Sequence, residues 1–159
     1  MRLTSTSPEM TRRIASQLAT LLRAGDLLAL DGPLGAGKTC FVQGLACGLG
    51  VRGVVSSPSF VLAKHYPGPV SLLHVDAYRL ASPQEYWELG LHEQAEGSVV
   101  AVEWADRVRG ALPEERIDVR LQDAGGDCRV IELSARGAQL TRAIAALPGR
   151  LNPDRETDA

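Results

Sequence analysis

Aromatic residues are scarce in this chain, at 4% of its 159 residues. Leucine, valine, isoleucine and alanine must therefore fill its core. Cysteine is also rare, with only Cys40, Cys47 and Cys128. An odd count without a CxxC pair excludes a disulfide framework and a zinc ribbon. Cys40 and Cys47 share one face of a helical stretch, and they are expected to be small buried residues in a reducing cytosol. No apolar run approaches the length of a membrane span. Arg2 is not followed by the apolar stretch of a signal peptide. The expectation is a cytoplasmic protein without membrane contact. An excess of positive charge is missing as well, since the formal net charge is -2. A chain that grips nucleic acid alone carries a basic footprint. If this one serves a nucleic-acid pathway, another chain must do the holding.

What is present suits one folded domain. Hydrophobic residues make up 45% and charged residues 23% of the chain, ordinary values for a globular protein. Ser7-Pro8-Glu9 reads as a helix start, and the apolar Ile14, Leu18, Leu21 and Leu22 recur at helical spacing up to Gly25. Leu27 to Leu30 is a short apolar run, the mark of a buried strand. A second helix is predicted from Lys38 to Gly48. Phe60 to Tyr66 and Val70 to Val75 flank Pro67-Gly68-Pro69 and predict an antiparallel hairpin. Ser82-Pro83 opens a short helix that Gly90 breaks. Val99 to Val102 is another buried strand. Ile117 to Leu121 and Arg129 to Leu133 flank Asp123-Ala124-Gly125-Gly126-Asp127 and predict a second hairpin. Leu140 to Leu147 reads as a closing helix. The fold class expected is α/β, a mixed sheet with a parallel core, antiparallel hairpins and flanking helices. A single domain is expected over residues 1–148. A flexible polar tail is expected from there to residue 159.

The stretch LDGPLGAGKTCF, residues 30–41, carries the chemistry. Gly32-Pro33-Leu34-Gly35-Ala36-Gly37-Lys38-Thr39 satisfies the P-loop pattern G-x-x-x-x-G-K-[ST]. Glycines let the backbone turn its N–H groups toward phosphate oxygens. The helix that follows points its N-terminus at the same anion. Lys38 is expected to reach the outer phosphates, and the Thr39 hydroxyl to ligate magnesium. The strand before and the helix after are the context the motif requires. GTPases read guanine through Asn-Lys-x-Asp, and the only asparagine here is Asn152. ATP is therefore the expected nucleotide.

Magnesium on a nucleotide also needs a carboxylate at the end of a neighbouring strand. Two apolar runs end in an acid, Leu72 to Asp76 and Val99 to Glu103. One acid would hold magnesium and the other would orient the attacking water. Spacing does not divide these roles.

Four blocks together resemble the bacterial TsaE (YjeE) family, the ATPase of tRNA threonylcarbamoyladenosine synthesis. Gly32 to Thr39 is similar to the family's GDLGAGKT. Ser57-Pro58-Ser59-Phe60 is similar to its SPTF. His74-Val75-Asp76-Ala77-Tyr78-Arg79-Leu80 is similar to HFDLYRL. Val102-Glu103-Trp104 contains its EW. The resemblance implies that Leu34, Gly35, Ala36, Gly37, Lys38 and Thr39 cradle the phosphates. It implies that Thr39 and Glu103 hold magnesium with Asp76 close by. Ser59 stands where the family has a switch-like threonine near the γ-phosphate. Trp104, Ala105 and Asp106 would lie beside the nucleotide, and the segment Ser7 to Thr11 would approach the adenine. Lys38, Asp76 and Glu103 would carry catalysis. The implied partners are TsaB- and TsaD-like proteins, which transfer the threonylcarbamoyl group, with tRNA met only through the complex. Pro33 departs from the family's aspartate, Cys40 from a second threonine, and Ser59 from a threonine.

Other residues carry less specific signals. His65, His74 and His92 show no zinc spacing, and His74 is expected to make a structural hydrogen bond. Arg79 is an internal arginine finger, a partner contact, or half of an ion pair with Glu85 or Glu88. Trp104 is a lid, a contact surface or a core residue. Glu85, Glu88, Glu93 and Glu96 form a solvated face or a docking surface. Arg129 is expected to face solvent rather than phosphate. A small-molecule kinase and a nucleotide-gated binding module remain open beside the ATPase reading. The kinase lacks the clustered lid arginines it would need.

Overall fold

Local chemistry starts most of the elements. The computed structural model of the chain describes residues 1–152. Strand β1 (Arg2–Ser5) precedes helix α1 (Pro8–Ala19), where the Ser7 side chain accepts from the Met10 amide and Pro8 sits in the first turn. Both are strong helix-start devices. Strand β2 (Leu27–Asp31) leads into the glycine loop and helix α2 (Lys38–Gly48). Strands β3 (Ala63–Tyr66) and β4 (Ser71–Asp76) form the first hairpin. Two short helices follow, α3 (Pro83–Glu88) and α4 (His92–Glu96), then strand β5 (Ser98–Glu103). Two 3-10 turns, Ala105–Arg107 and Arg109–Ala111, lead to the second hairpin of β6 (Arg116–Asp123) and β7 (Arg129–Arg136). Helix α5 (Ala138–Leu151) closes the described chain.

The seven strands form one sheet in the order β1-β7-β6-β2-β5-β4-β3. Strands β6, β2, β5 and β4 run parallel, and β7 and β3 pair antiparallel at the two sides. This is the expected parallel core with added hairpins. Alternate residues of the central strands feed two cores. Leu28, Leu30, Leu72, Val99 and Ile117 pack with α1, α2 and α5. Leu27, Ala29, Leu73, Val100 and Val102 pack with Ala105, Val108 and Leu112 on the opposite face. Burying each such leucine is worth about 1.5–3 kcal/mol.

Helices α1 and α2 touch closely, and two glycines make this possible. A Cβ at Gly44 would lie 2.3 Å from the Arg12 carbonyl oxygen, and one at Gly48 would lie 2.2 Å from that of Ser16. The α2 backbone therefore rests on α1, and α1 helps to aim the N-terminus of α2 at the glycine loop.

Several elements differ from the sequence expectation. Strand β1 is additional; it pairs with β7 along Arg2–Ser5. Helix α1 stops at Ala19 rather than Gly25, because the Leu21 and Leu22 amides turn back to Leu18 and Ala19 and the Asp26 carboxylate accepts from the Arg23 amide. The strand expected from Phe60 starts at Ala63. Leu62 is left-handed and donates its amide to the Pro58 carbonyl, closing a turn there. Helix α4 was not expected. Helix α5 runs through Pro148 to Leu151, so the first residues expected in a tail are helical. Residues 153–159 of that tail lie outside the described residues. Cys47 is exposed and Cys40 and Cys128 are half-buried, so the expected burial does not hold.

Candidate functional site

Three acids stand at the carboxyl ends of adjacent parallel strands: Asp31 on β2, Glu103 on β5 and Asp76 on β4. This is where open α/β sheets place their ligands. Asp76 and Glu103 are direct register partners, and Glu103 pairs on its other side with Leu30. Asp76 and Glu103 therefore share the sheet face over the loop that leaves β2, whereas Asp31, one residue past Leu30, opens on the other face.

That loop is shaped by glycine. Gly35 and Gly37 have φ of 79° and 99°, which side-chain-bearing residues rarely adopt. A Cβ at either would meet nothing within 4 Å, so the demand there is conformational. Gly32 is required by space: a Cβ would lie 2.5 Å from the Leu121 carbonyl oxygen. Gly37 caps α2 without a side chain, which leaves the first amides of that helix free for an anion.

A cleft of about 430 Å³ opens over the loop, lined among others by Leu34, Lys38, Thr39, Ser59, Asp76 and Glu103. Lys38 is only 5% exposed. Its ammonium donates to the Gly32 and Pro33 carbonyls at 2.6 and 3.0 Å and sits 3.8 Å from the Trp104 ring centre. Burial pushes the Lys38 pKa below the usual lysine value, and Glu103, Asp76, Asp31 and Asp106 partly oppose that shift. Pro33 has lost an amide relative to other residues, yet its carbonyl holds the lysine.

The Thr39 hydroxyl donates to Glu103 Oε1 at 2.9 Å, and His74 Nε2 lies 2.8 Å from the same oxygen. The structural hydrogen bond expected of His74 is present. Asp76 has other partners. Its Oδ2 accepts from the Ser57 hydroxyl at 2.9 Å and its Oδ1 from the Tyr78 amide at 3.0 Å. Ser57 and Ser59 share a hydroxyl contact at 3.1 Å. Trp104 is half-buried and left-handed, with φ of 56°, and packs on Tyr78 with ring centres 5.0 Å apart. It is thus a wall of the cleft rather than a core residue.

The structure brings together Leu34, Gly35, Gly37, Lys38, Thr39, Ser59, Asp76, Glu103 and Trp104. Ala36 and Ala105 are buried and do not line that cleft. Asp106 lies on the far side of Trp104, where its amide donates to Asp31 Oδ1 at 2.8 Å. There it lines a second, larger cleft of about 730 Å³ together with Asp31, Pro33, Arg109 and Asp118. Thr11 is not brought into the cleft; it is 2% exposed and its hydroxyl meets Ser5 Oγ at 2.8 Å.

Sequence reasoning missed Arg109, gave Ser57 no role of its own and expected Arg129 to face solvent. Ser57, the first residue of the Ser57-Pro58-Ser59-Phe60 block, orients Asp76. Arg109 bridges Asp31 and Asp118. Arg129 does not simply face solvent: its guanidinium reaches back from β7 to the Gly35 carbonyl at 3.2 Å. Arg79 pairs with neither Glu85 nor Glu88. It lies over the Phe60 ring, 4.6 Å from its centre.

Magnesium fits this donor set. A hydroxyl and a carboxylate oxygen are hard donors of the kind magnesium takes, and Thr39 and Glu103 bring one of each into contact. Among the described residues no group of three or more His, Cys, Asp or Glu side chains could hold a metal by itself. Magnesium commonly binds through one or two protein ligands plus substrate phosphates, so the metal would arrive with a nucleotide.

Comparison with known proteins shows the family of the chain. The family described as "Threonylcarbamoyl adenosine biosynthesis protein TsaE" matches residues 5–131. The chain belongs to the TsaE family. Relatives named tRNA threonylcarbamoyladenosine biosynthesis protein TsaE include one from Bacillus subtilis, 43% identical, covering 82% of this chain and 83% of the relative. One from Streptomyces coelicolor is 48% identical, covering 73% and 81%. One from Treponema pallidum is 42% identical, covering 77% and 91%. The crystal structure of Bacillus subtilis YdiB superposes with a TM-score of 0.82 at 36% identity, covering 96% of each chain. The TsaE match spans all four sequence blocks, from the glycine loop to Glu103-Trp104.

Proposed function

We propose that this TsaE-family chain binds ATP with magnesium and hydrolyses it. We propose further that this turnover drives a cycle in tRNA threonylcarbamoyladenosine synthesis in the cytoplasm. The observation that carries the reading is the 2.9 Å contact between the Thr39 hydroxyl and Glu103 Oε1 at the mouth of the glycine loop. When bound, magnesium would neutralise charge on the β- and γ-phosphates. The amides at the start of α2 and of the loop would bind the phosphate oxygens. Lys38 would leave the Gly32 and Pro33 carbonyls for the outer phosphates. Thr39 and Glu103 would hold the metal. Asp76, oriented by Ser57 and the Tyr78 amide, would orient the water that attacks the γ-phosphoryl group. This divides the two acids by their present partners.

Leu34, Phe60 and Val61 are 89%, 85% and 68% exposed near this cleft. Such apolar exposure beside a small site supports capping by a protein partner, and we assign that place to TsaB- and TsaD-like proteins. The chain would meet tRNA only through that complex. The Ser57–Asp76 link favours one second reading, a nucleotide-gated binding module in which ATP reorders residues 57–60 with negligible turnover.

The test is magnesium-dependent ADP release from ATP and from GTP, with and without a TsaB–TsaD pair. ATP-selective release that rises with the pair is expected. Tight ATP binding with no ADP formed in the presence of the pair would favour the binding module. Release that requires an added acceptor would indicate a kinase.

A further inference from the structure

We propose that His74 is a positioning residue for Glu103, holding the carboxylate in its metal-binding orientation before any metal arrives. The proposal rests on the magnesium–nucleotide reading above.

The sheet register sets the contact. His74 pairs with Ala101 and Asp76 with Glu103 across β4 and β5. His74 and Glu103 are thus diagonal neighbours on one sheet face, close enough for a long side chain to bridge. His74 is 0% exposed and Glu103 3% exposed. The imidazole Nε2 and the Thr39 hydroxyl both reach Glu103 Oε1, at 2.8 and 2.9 Å. Two contacts on one oxygen hold Oε1 in place.

His74 Nδ1 is buried and has no partner among the described residues. An ionised Glu103 can only accept. The geometry therefore puts a ring hydrogen on Nε2, donated to the carboxylate. A lysine or arginine in its place would compete with magnesium for Glu103. Metal ligands are commonly held by such outer hydrogen bonds.

The test compares wild-type protein with His74→Leu and His74→Gln. Binding of a non-hydrolysable ATP analogue is measured by calorimetry in EDTA and then across a magnesium chloride titration. His74→Leu is expected to need about 10–100-fold more magnesium for half-maximal binding, with analogue affinity in EDTA unchanged. His74→Gln keeps an amide N–H near the Nε2 position and is expected to recover most of the loss. The ¹⁵N spectrum of the metal-free wild-type imidazole is expected to show hydrogen on Nε2. The proposal is overturned if His74→Leu keeps the wild-type magnesium requirement, if it loses binding equally in EDTA, or if Nε2 carries no hydrogen. Should His74→Leu fail to fold, His74→Gln against the shorter His74→Asn decides, and equal magnesium requirements overturn it. Wild-type protein that binds no analogue at any magnesium concentration overturns the functional reading as well. Wild-type binding matched by all variants overturns this proposal alone.

Discussion

Asp76 and Glu103 are direct neighbours across β4 and β5, yet their carboxylates serve different segments. Glu103 holds Thr39 at the start of α2, and Asp76 holds Ser57 in the segment between α2 and β3. The two acids should therefore fail differently. Glu103→Gln is expected to raise the magnesium requirement about 10–100-fold. Asp76→Asn is expected to lower ATP turnover with little change in that requirement. Magnesium titrations of ADP release by the two variants check this. Equal shifts in both would remove the division of roles.

Lys38 is the nearest cation to the loop, and it is held by carbonyls rather than by a carboxylate. Lys38→Ala should reduce ATP turnover by about 10²-fold or more, the scale of losing one preorganised charge donor. Nucleotide binding should weaken too. A steady-state assay on folded variant protein measures this, and an unchanged rate would place the site elsewhere.

Gly44 is a test of packing. A Cβ there would come within 2.3 Å of backbone in α1, and neither helix can move a flexible group aside. Gly44→Ala should cost about 1–3 kcal/mol despite alanine's better helix propensity. The melting temperature should fall by about 2–12 °C. A rise would mean that α1 and α2 separate more easily than their contact implies.

Asp118 gives a dependence on pH. Burial alone would raise its pKa, but hydrogen bonds and charge from Arg116 and Arg109 outweigh that and hold it below the ordinary aspartate value. A carboxylate with a lower pKa folded than unfolded stabilises fully above the unfolded value, about 4. That contribution is lost as pH falls through the lowered value. Asp118→Asn should thus lower the urea midpoint at pH 6, and the gap should narrow toward pH 3. A gap independent of pH would show that packing, not charge, holds this network.

The loop and its helix were legible because each residue there has a local duty. Glycines supply the backbone angles, and Lys38 and Thr39 follow at a fixed spacing. The hairpins were legible from apolar runs around turn residues. Strand β1 was not, because four residues pair with a strand more than a hundred positions away. The reach of Arg129 to Gly35 and of Ser57 to Asp76 was equally hidden. Both depend on how β7 and the segment before β3 fold back over the sheet. The end of α1 was misplaced because Leu21 and Leu22 continue the apolar spacing after the helix has closed.

Strands β1 and β3 at the sheet's two margins are only four residues long. Short margins offer little template for a further strand. The sheet therefore does not invite extension by another polypeptide, and encounters with other proteins fall to loops and helix ends. Contacts of that kind form and release with no backbone ladder to unzip.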